Sequence, residues 1–447
     1  MDLFGVFYVP NFLFVTLAIL ISLYFFGRRT FGFFAEHQFK GPKPMVYLGN
    51  LKQMSQAGFV NIFFDWKKQF GDVYGIFFGT EPFLRLIISG NEYSENMLSA
   101  AKDDHWKYLR TVLAPSYSSK RMREMVPLIE DVLKTFEKNL NKIADSQEAT
   151  DVTFLFSGYT MDVIASTGFG IKVDSQEDPD SPVVKNARKI FSADFLKSIV
   201  GLTILFPLLG KILNKIKPGI VLGNIAYFVD FCKELVEERK KEKNTSTRKD
   251  LLQLMLDAQL EGHEKLDKKI EQELKLENIT DWRTKRGLTD VEIIAQCMVF
   301  FLAGFETTAS TLSFFAHSIA MNPDVQEKLY QEIKEKLGQE SPNYDNVQKL
   351  TYLDMCLDET LRMYPIALVL TRQAKEDCII KGMKIPKNTG VMFPVMCLHY
   401  DPKYWTEPEK FDPEHFSEEN KAKQKILHLY SFWWWATNLC WNAIGST

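Results

Sequence analysis

The chain has 447 residues, of which 46% are hydrophobic, 25% charged and 13% aromatic. This apolar content supports a large buried core and excludes a largely disordered chain. The 54 basic and 57 acidic side chains nearly cancel, so there is no overall basic field and nucleic acid is not an expected partner. The six cysteines are scattered without a C-x-x-C pair, which argues against a disulfide framework or a zinc ribbon.

The first segment of the chain has the composition of a membrane anchor. Residues 12–26 are almost wholly apolar, and with the flank 4–9 the run approaches the roughly 20 residues that cross a bilayer. Arg28 and Arg29 follow, so the positive-inside rule keeps the body of the protein in the cytosol. A cleaved signal peptide is the alternative, but the start is not basic and no A-x-A site follows. Residues 1–29 are therefore predicted to form a transmembrane anchor.

A proline-rich hinge is predicted over residues 30–50. Pro42 and Pro44 fix φ and remove backbone donors, which favours a stiff, extended spacer, although any loop would accept them equally well. The body is assigned to residues 51–430.

Hydrophobic periodicity predicts the secondary structure of the body. Most segments repeat apolar residues every 3.6 positions, as helices do. Short β-rich pieces occur near the start, at 73–78 and 84–89, and again late, at 379–385 and 390–394. The sequence therefore predicts a mainly α fold with a small β portion.

The clearest helix begins after Thr289. Thr289 and Glu292 stand at the N-cap and N3 positions of a capping box, and the apolar run that follows can continue to Met321, just before Asn322-Pro323. At about 1.5 Å per residue this helix spans about 48 Å, so it must cross the core.

The middle of that helix reads Ala303-Gly304-Phe305-Glu306-Thr307. Gly304 costs roughly 1 kcal/mol relative to alanine, and a buried Glu306 costs more unless it is paired. Two such residues close together favour a groove in which a ligand approaches the backbone. A helix kink with threonine hydroxyls bonded back to carbonyls explains the same residues equally well.

A second helix is predicted from Thr351 to Tyr364, because Pro365 follows. Glu359 and Arg362 lie three residues apart on one face of it. An exposed pair of this kind would be ordinary and would contribute little stability. The proline- and aromatic-rich stretch 404–416 comes next, and long irregular stretches in compact chains are often functional.

This ordered set of motifs resembles the cytochrome P450 family, the haem-thiolate monooxygenases. It is most similar to the microsomal animal branch, near the broad-specificity drug- and steroid-oxidising subfamily. The resemblance runs in order along nearly the whole chain and includes Trp106-x-x-x-Arg110 and the region 399–416. It implies a helical prism with a smaller β portion, a haem cofactor, and lipophilic small-molecule substrates. It also implies NADPH electrons delivered by a flavoprotein reductase and a location in the endoplasmic reticulum membrane with the body in the cytosol.

The resemblance assigns roles to the residues around the haem. Trp106, Arg110 and Arg372 match positions that bond the haem propionates, where guanidinium groups suit carboxylates. Ala303 and Gly304 match the point at which the long helix lets haem and oxygen approach.

It likewise assigns catalytic and structural pairs. Glu306 and Thr307 match the pair that delivers protons to bound dioxygen. Glu359 and Arg362 match a buried structural pair behind the haem that a residue of the later loop completes. The family usually has arginine where His415 stands, and a neutral histidine is a poorer partner for a carboxylate.

Two further departures from the family pattern are segments that this sequence lacks. Only residues 90–104 separate the strand ending near Ser89 from Trp106, where the family has a much longer segment with a helix over the substrate pocket. The family also requires F-x-x-G-x-R-x-C-x-G, since an anionic thiolate must ligate the iron. Counting from Phe432 puts Leu439 at the cysteine position, and Cys440 is one residue late. The metal ligand is therefore not in its expected motif.

The codons of the tail explain this departure. Trp433-Trp434-Trp435 can only be encoded by TGG TGG TGG, which reads GGT GGT GG when its first base is dropped. Continuing to Ala443 in that frame permits Gly-Gly-Gly-Pro-Arg-(Ile or Thr)-Cys-Val-Gly-Met-Arg, the family's cysteine loop directly after Phe432. We therefore expect a one-base frame slip near codon 432, from a gene-model error or a real mutation. Residues 431–447 are then an aberrant, truncated tail.

Two functions remain open from the sequence. The first is a membrane-anchored monooxygenase, supported by the ordered motifs. The second is an inactive pseudoenzyme or truncated product, anchored in the membrane and binding apolar ligands or partners. The transcript across codons 425 to 447 distinguishes the two.

Overall fold

The computed structural model divides the chain into two compact units. It describes residues 2–3, 7–8, 11–78, 81–82, 96–99, 101, 103–146, 149–178, 180–191, 225–242, 250–261, 287–380 and 382–423. The first unit comprises Met1–Ile87, Gly201–Leu209 and Ala367–Asp401, and the second comprises Ile88–Val200, Gly210–Ile366 and Pro402–Thr447. The predicted strand 84–89, most of the segment 90–104 and the tail 431–447 lie outside the described residues.

The described part of the chain is mainly helical, as the sequence predicts. In chain order the helices are α1 (Asn11–Arg28), α2 (Phe33–Glu36), α3 (Leu51–Ala57), α4 (Asn61–Phe70), α5 (Asp103–Leu113), α6 (Ser119–Ser146), α7 (Val152–Phe169), α8 (Pro182–Phe191), α9 (Ile225–Lys241), α10 (Leu251–Glu261), α11 (Asp290–Met321), α12 (Pro323–Lys336), α13 (Tyr344–Val347), α14 (Thr351–Met363), α15 (Val395–His399) and α16 (Glu418–Lys423). Short 3₁₀ helices cover Ala114–Tyr117 and Pro413–Phe416.

The strands are short and pair in antiparallel twos. They are β1 (Asp2–Leu3), β2 (Phe7–Tyr8), β3 (Phe77–Phe78), β4 (Glu81–Pro82), β5 (Val369–Gln373), β6 (Cys378–Ile380), β7 (Met383–Ile385) and β8 (Gly390–Pro394). The pairs are β1–β2, β3–β4, β5–β8 and β6–β7. The predicted β-rich piece 379–385 forms a hairpin, because Gly382 adopts a φ of 81° and turns the chain between β6 and β7.

Helix α1 is the candidate membrane anchor of the first unit. It is apolar along its length, and its large side chains are exposed, with Phe25 66% accessible. This exposure would be unfavourable in water and fits a helix surrounded by lipid. Helix α11 is also long and apolar enough to span a bilayer, but half of it is buried in the protein. It is therefore a core helix.

The core of the second unit forms around α11. Its buried side chains include Phe301 and Phe305 of α11, Phe169 of α7 and Phe228 of α9. The rings of Phe169 and Phe301 stack with centroids 4.0 Å apart. Aromatic pairs of this kind contribute about 0.5–1.5 kcal/mol beyond the area that they bury. This packing fixes the middle of α11 in the interior.

The predicted boundaries of α11 and α14 are confirmed. The Thr289 hydroxyl accepts the N–H of Glu292 at 3.2 Å, and the Glu292 carboxylate accepts the N–H of Thr289 at 2.8 Å, which completes the capping box. Glu292 is almost fully buried, and His105 bonds to it at 2.9 Å. Helix α14 ends at Met363, two residues before Pro365.

Candidate active site

Gly304 lies where α11 and α7 approach each other. A Cβ atom at this position would lie 3.0 Å from both Cδ1 and Cγ1 of Ile164, which is tighter than ordinary packing. One residue on, the carbonyl of Phe305 accepts a hydrogen bond from the Thr160 hydroxyl at 3.0 Å. The glycine therefore allows close helix packing here, and its predicted role in admitting haem stays a prediction.

Ala303 and Thr307 lie one turn apart on a more exposed part of α11. The Thr307 hydroxyl donates to the carbonyl of Ala303, and the Thr311 hydroxyl donates to the carbonyl of Thr307 at 2.9 Å. These are the bonds back to the helix that the sequence left open as an alternative. The helix is continuous through this segment. Thr307 thus has its hydroxyl oriented by the backbone, beside a small side chain that leaves space.

Glu306 is half-buried on α11. Burial raises the pKa of its carboxyl, while the attraction of Arg188 and a hydrogen bond with Ser310 act in the opposite direction. A carboxyl with a raised pKa holds its proton closer to neutral pH, as a general acid must. Arg188 lies on α8, more than a hundred residues earlier, so no local sequence pattern connects it with Glu306.

Arg110 and Trp106 lie one turn apart on α5 and so share a face of the helix. The Nε atom of Arg110 is buried and has no hydrogen-bond partner among the described residues. Burial lowers the pKa of Arg110, and the nearby Tyr117 partly offsets this. A buried guanidinium N–H without an acceptor is unfavourable, and a carboxylate supplies the missing acceptor. Arg110 therefore fits a carboxylate such as a haem propionate, and the predicted propionate role of Trp106 and Arg110 stays a prediction.

Arg372 belongs to the first unit, on β5, whereas Trp106 and Arg110 belong to the second. Its side chain is exposed, and its Nη1 atom donates to the carbonyl of Thr371 at 2.8 Å. Its predicted role at a haem propionate stays a prediction.

Four of the five cysteines in the described part of the chain are buried, and Cys378 on β6 is partly exposed. Cys232, Cys297 and Cys356 pack inside apolar clusters of the second unit. Burial raises the pKa of Cys356 to about 12 and that of Cys397 to about 11, so both are thiols and not thiolates. Cys440 lies outside the described residues.

Glu359 and Arg362 form a fully buried bidentate pair on α14. The Nε and Nη2 atoms of Arg362 donate to the Glu359 carboxylate at 2.6 and 2.8 Å. The same guanidinium donates to the carbonyls of Pro408 at 2.8 Å and Lys410 at 3.2 Å. It also lies 5.2 Å from the centroid of the Trp405 ring. The pair therefore holds the irregular loop 404–416 against α14.

His415 completes this network from the loop. Its Nδ1 atom bonds to Glu359 Oε1 at 3.1 Å, and its Nε2 atom bonds to the carbonyl of Thr406 at 2.8 Å. The N–H of Asp412 also donates to Glu359, at 2.9 Å. Burial lowers the pKa of His415, but the hydrogen bond and attraction of Glu359 outweigh it and raise the pKa above the ordinary value. Both ring nitrogens face acceptors, and only the imidazolium can donate to both. The interaction therefore favours a charged histidine, not the neutral one assumed from the sequence.

We expect the stability of the second unit to depend on the protonation of His415. Because its folded pKa is raised, the stabilisation is complete below the unfolded value of about 6.5 and is lost as pH rises through the folded value. In His415→Arg the arginine stays charged over this whole pH range. The unfolding free energy of the variant should therefore not fall as the pH rises. Urea unfolding from weakly acidic to weakly alkaline pH measures this, with His317→Gln on the exposed face of α11 as the control. The same pH slope in His415→Arg and the wild type would contradict the assignment.

Comparison with known proteins places these features in one family. The family model "Cytochrome P450" matches residues 87–432. Similar proteins include Cytochrome P450 3A14 of Cavia porcellus, 35% identical over 445 residues that cover 94% of this chain and 84% of that protein. Cytochrome P450 3A7 of Homo sapiens is 35% identical, with 90% and 81% covered, and Cytochrome P450 3A11 of Mus musculus is 36% identical, with 91% and 82% covered. The family's monooxygenases use haem iron and NAD(P)H-derived electrons from a reductase. By its matched length and these similarities, the chain belongs to the cytochrome P450 family.

Proposed function

We propose that the gene encodes a membrane-anchored monooxygenase that inserts one oxygen atom from dioxygen into a lipophilic small molecule. The electrons come from NADPH through a flavoprotein reductase. The observation that carries this proposal is the buried Arg110 Nε atom, which lacks an acceptor among the described residues and lies one turn from Trp106. The family match supports the same assignment.

Each residue of the candidate site would have its own role in this reaction. A bound haem supplies the oxygen chemistry. Trp106 and Arg110 would hold a propionate, and the raised pKa of Glu306 would let its carboxyl hold a proton for transfer by way of the Thr307 hydroxyl. The small apolar side chain of Ala303 leaves space beside Thr307.

Isotope incorporation tests this proposal. The protein is expressed with its frame restored and its missing pocket segment supplied, reconstituted with reductase and NADPH, and given a panel of steroids and lipophilic drugs under labelled dioxygen. We expect one labelled oxygen atom in the product. Label that comes from water, or turnover without the reductase, would contradict the proposal.

In this restored protein we expect Thr307→Ala to uncouple turnover. Proton delivery needs a hydroxyl within hydrogen-bond reach, and without it the reducing equivalents go to peroxide instead of product. The measurement is the ratio of product formed to NADPH consumed, which should fall severalfold. Thr308→Ala is the matched control, since that hydroxyl is on the adjacent, exposed position. Unchanged coupling in Thr307→Ala would rule out the role.

We further propose that residues 1–29 hold the protein in the endoplasmic reticulum membrane with the body in the cytosol. The exposed apolar helix α1 supports this. We expect the intact protein to remain with membranes in alkaline carbonate and engineered glycosylation sites in the body to stay unmodified. Release into the carbonate supernatant would count against a spanning segment, and glycosylation of the body would reverse the orientation.

The chain as written is proposed to be inactive. The family match stops at residue 432, directly before Trp433-Trp434-Trp435, and Cys440 is one residue late for the ligand position. A slip of one residue changes where the sulfur points, and three tryptophans would occupy space that glycines leave for the porphyrin. The alternative function, a membrane-anchored protein that binds apolar ligands without catalysis, would then be all that this chain retains.

A further inference from the structure

A cavity of about 670 Å³ lies between α6, α7 and the loop 170–177 of the second unit. This volume is in the range of sites for drug-sized molecules. Apolar side chains form part of its wall: Met125, Leu128, Val132, Ile171 and Val173. Residues of α11 do not line it, so the cavity is separate from the segment that carries Glu306 and Thr307.

The polar part of the wall is acidic. Six carboxylates line it, those of Glu124, Asp131, Asp162, Asp174, Glu177 and Asp250. Four of the six are paired with basic side chains, Glu124 with Arg121, Asp131 with Lys134, Asp174 with Lys172 and Asp250 with Arg239, at 2.7–3.0 Å. Two carboxylates, Asp162 and Glu177, thus exceed the number of basic partners, and Lys172, which also lines the wall, attracts both of them without forming a salt bridge with either.

Asp162 and Glu177 are the two that form no salt bridge with a described residue. Asp162 is half-buried on α7 and accepts only backbone N–H groups, from Ser175 at 2.7 Å and Gln176 at 3.2 Å. Glu177 is exposed and follows directly in the same loop. A negative charge held by backbone donors on a partly buried wall still attracts a cation.

The same loop carries one buried acceptor without a donor. The Oε1 atom of Gln176, which lines the cavity, is buried and has no partner among the described residues. Buried polar groups are normally satisfied, so this atom indicates a hydrogen-bond donor that is supplied from outside the described chain.

We propose that this cavity binds a monovalent organic cation with an apolar body, such as an amphipathic amine. Its ammonium group faces the carboxylates of Asp162 and Glu177 and donates to Gln176 Oε1, and its apolar part packs against α6. The excess negative charge selects the cation, and the apolar wall selects the body. A neutral lipid or an anion gains nothing from these carboxylates.

The test is a fluorescence titration of the full 447-residue chain in detergent with monodansylcadaverine, a primary amine on an aromatic body. We expect saturable binding of one molecule per chain that weakens as the ionic strength is raised. The N-acetylated probe, which has lost the charge, should bind at least about tenfold more weakly, the loss expected for a charge-assisted hydrogen bond. Equal binding of the two probes, or binding that does not saturate, would overturn the proposal.

Variants locate the site. Glu177→Gln removes an exposed charge and should weaken binding about two- to fivefold, the range for a partly solvated ion pair. Thr135→Trp fills the cavity from α6 and should abolish binding. Glu137→Gln, an exposed carboxylate on α6 outside the cavity, is the matched control and should leave binding unchanged.

Each of these results decides the question. Undiminished binding to Thr135→Trp, with its fold verified by circular dichroism, would place the amine elsewhere, and so would equal losses in Glu177→Gln and Glu137→Gln. Haem is not needed for the titration, so failure here is separate from failure of the proposed monooxygenase function.

Discussion

Removing one base directly after codon 432, with the missing pocket segment supplied before Trp106, is expected to give a protein with a haem-thiolate spectrum. The codons permit a cysteine among glycines and arginines in the shifted frame, in the motif that an anionic sulfur ligand of haem iron requires. The reduced carbon-monoxide complex should therefore have the red-shifted Soret band that thiolate ligation produces. Difference spectroscopy of the purified protein measures it.

The 447-residue chain as written is the paired control. We expect no such band from it, and no reductase-dependent oxidation, when it is expressed with haem supplied. A histidine-type band from the frame-restored protein would remove the family's ligand assignment. A thiolate band from the chain as written, abolished by Cys440→Ser, would mean that its tail has been misinterpreted.

Truncation of the buried carboxylate on α14 is expected to have the largest effect on stability. Glu359→Ala leaves the guanidinium of Arg362 charged, fully buried and without its carboxylate. Breaking a buried pair in this way costs about 3–5 kcal/mol of unfolding free energy. Denaturant unfolding followed by circular dichroism measures the loss.

Two further variants distinguish the contribution of the buried pair to stability from that of the loop 404–416. Glu409→Ala removes an exposed carboxylate from the same loop and should change the unfolding free energy by less than about 0.5 kcal/mol. The double variant Glu359→Ala/Arg362→Met should be less destabilised than Glu359→Ala alone, because it leaves no unpaired buried charge. A loss below about 1 kcal/mol in Glu359→Ala would contradict the assigned pairing.

Local sequence signals predicted the parts of the fold that local interactions determine. The capping box at Thr289 and the proline after Tyr364 set helix boundaries through neighbouring residues, and both boundaries are confirmed. The β-rich piece 379–385 was predicted, but the turn at Gly382 that makes it the hairpin of β6 and β7 was not.

The roles of the site residues depend on contacts between residues that are far apart in sequence, and local patterns do not predict such contacts. The close packing of Gly304 against Ile164 joins two helices that are far apart in sequence, so the local pattern suggested a ligand groove or a helix kink and not this packing. His415 was judged a poor partner for Glu359, because nothing in the sequence places the carbonyl of Thr406 on its second nitrogen. The Glu359–Arg362 pair itself was predictable, since a spacing of three puts both side chains on one helix face.

Sequencing the transcript across codons 425 to 447 tests the frame slip and the lineage together. We predict one base fewer after the codon for Phe432, so that the message continues as Gly-Gly-Gly-Pro-Arg-x-Cys. Independent transcripts that all encode Trp433-Trp434-Trp435 in frame would contradict it, and would make this chain an anchored protein without the haem ligand loop of its family.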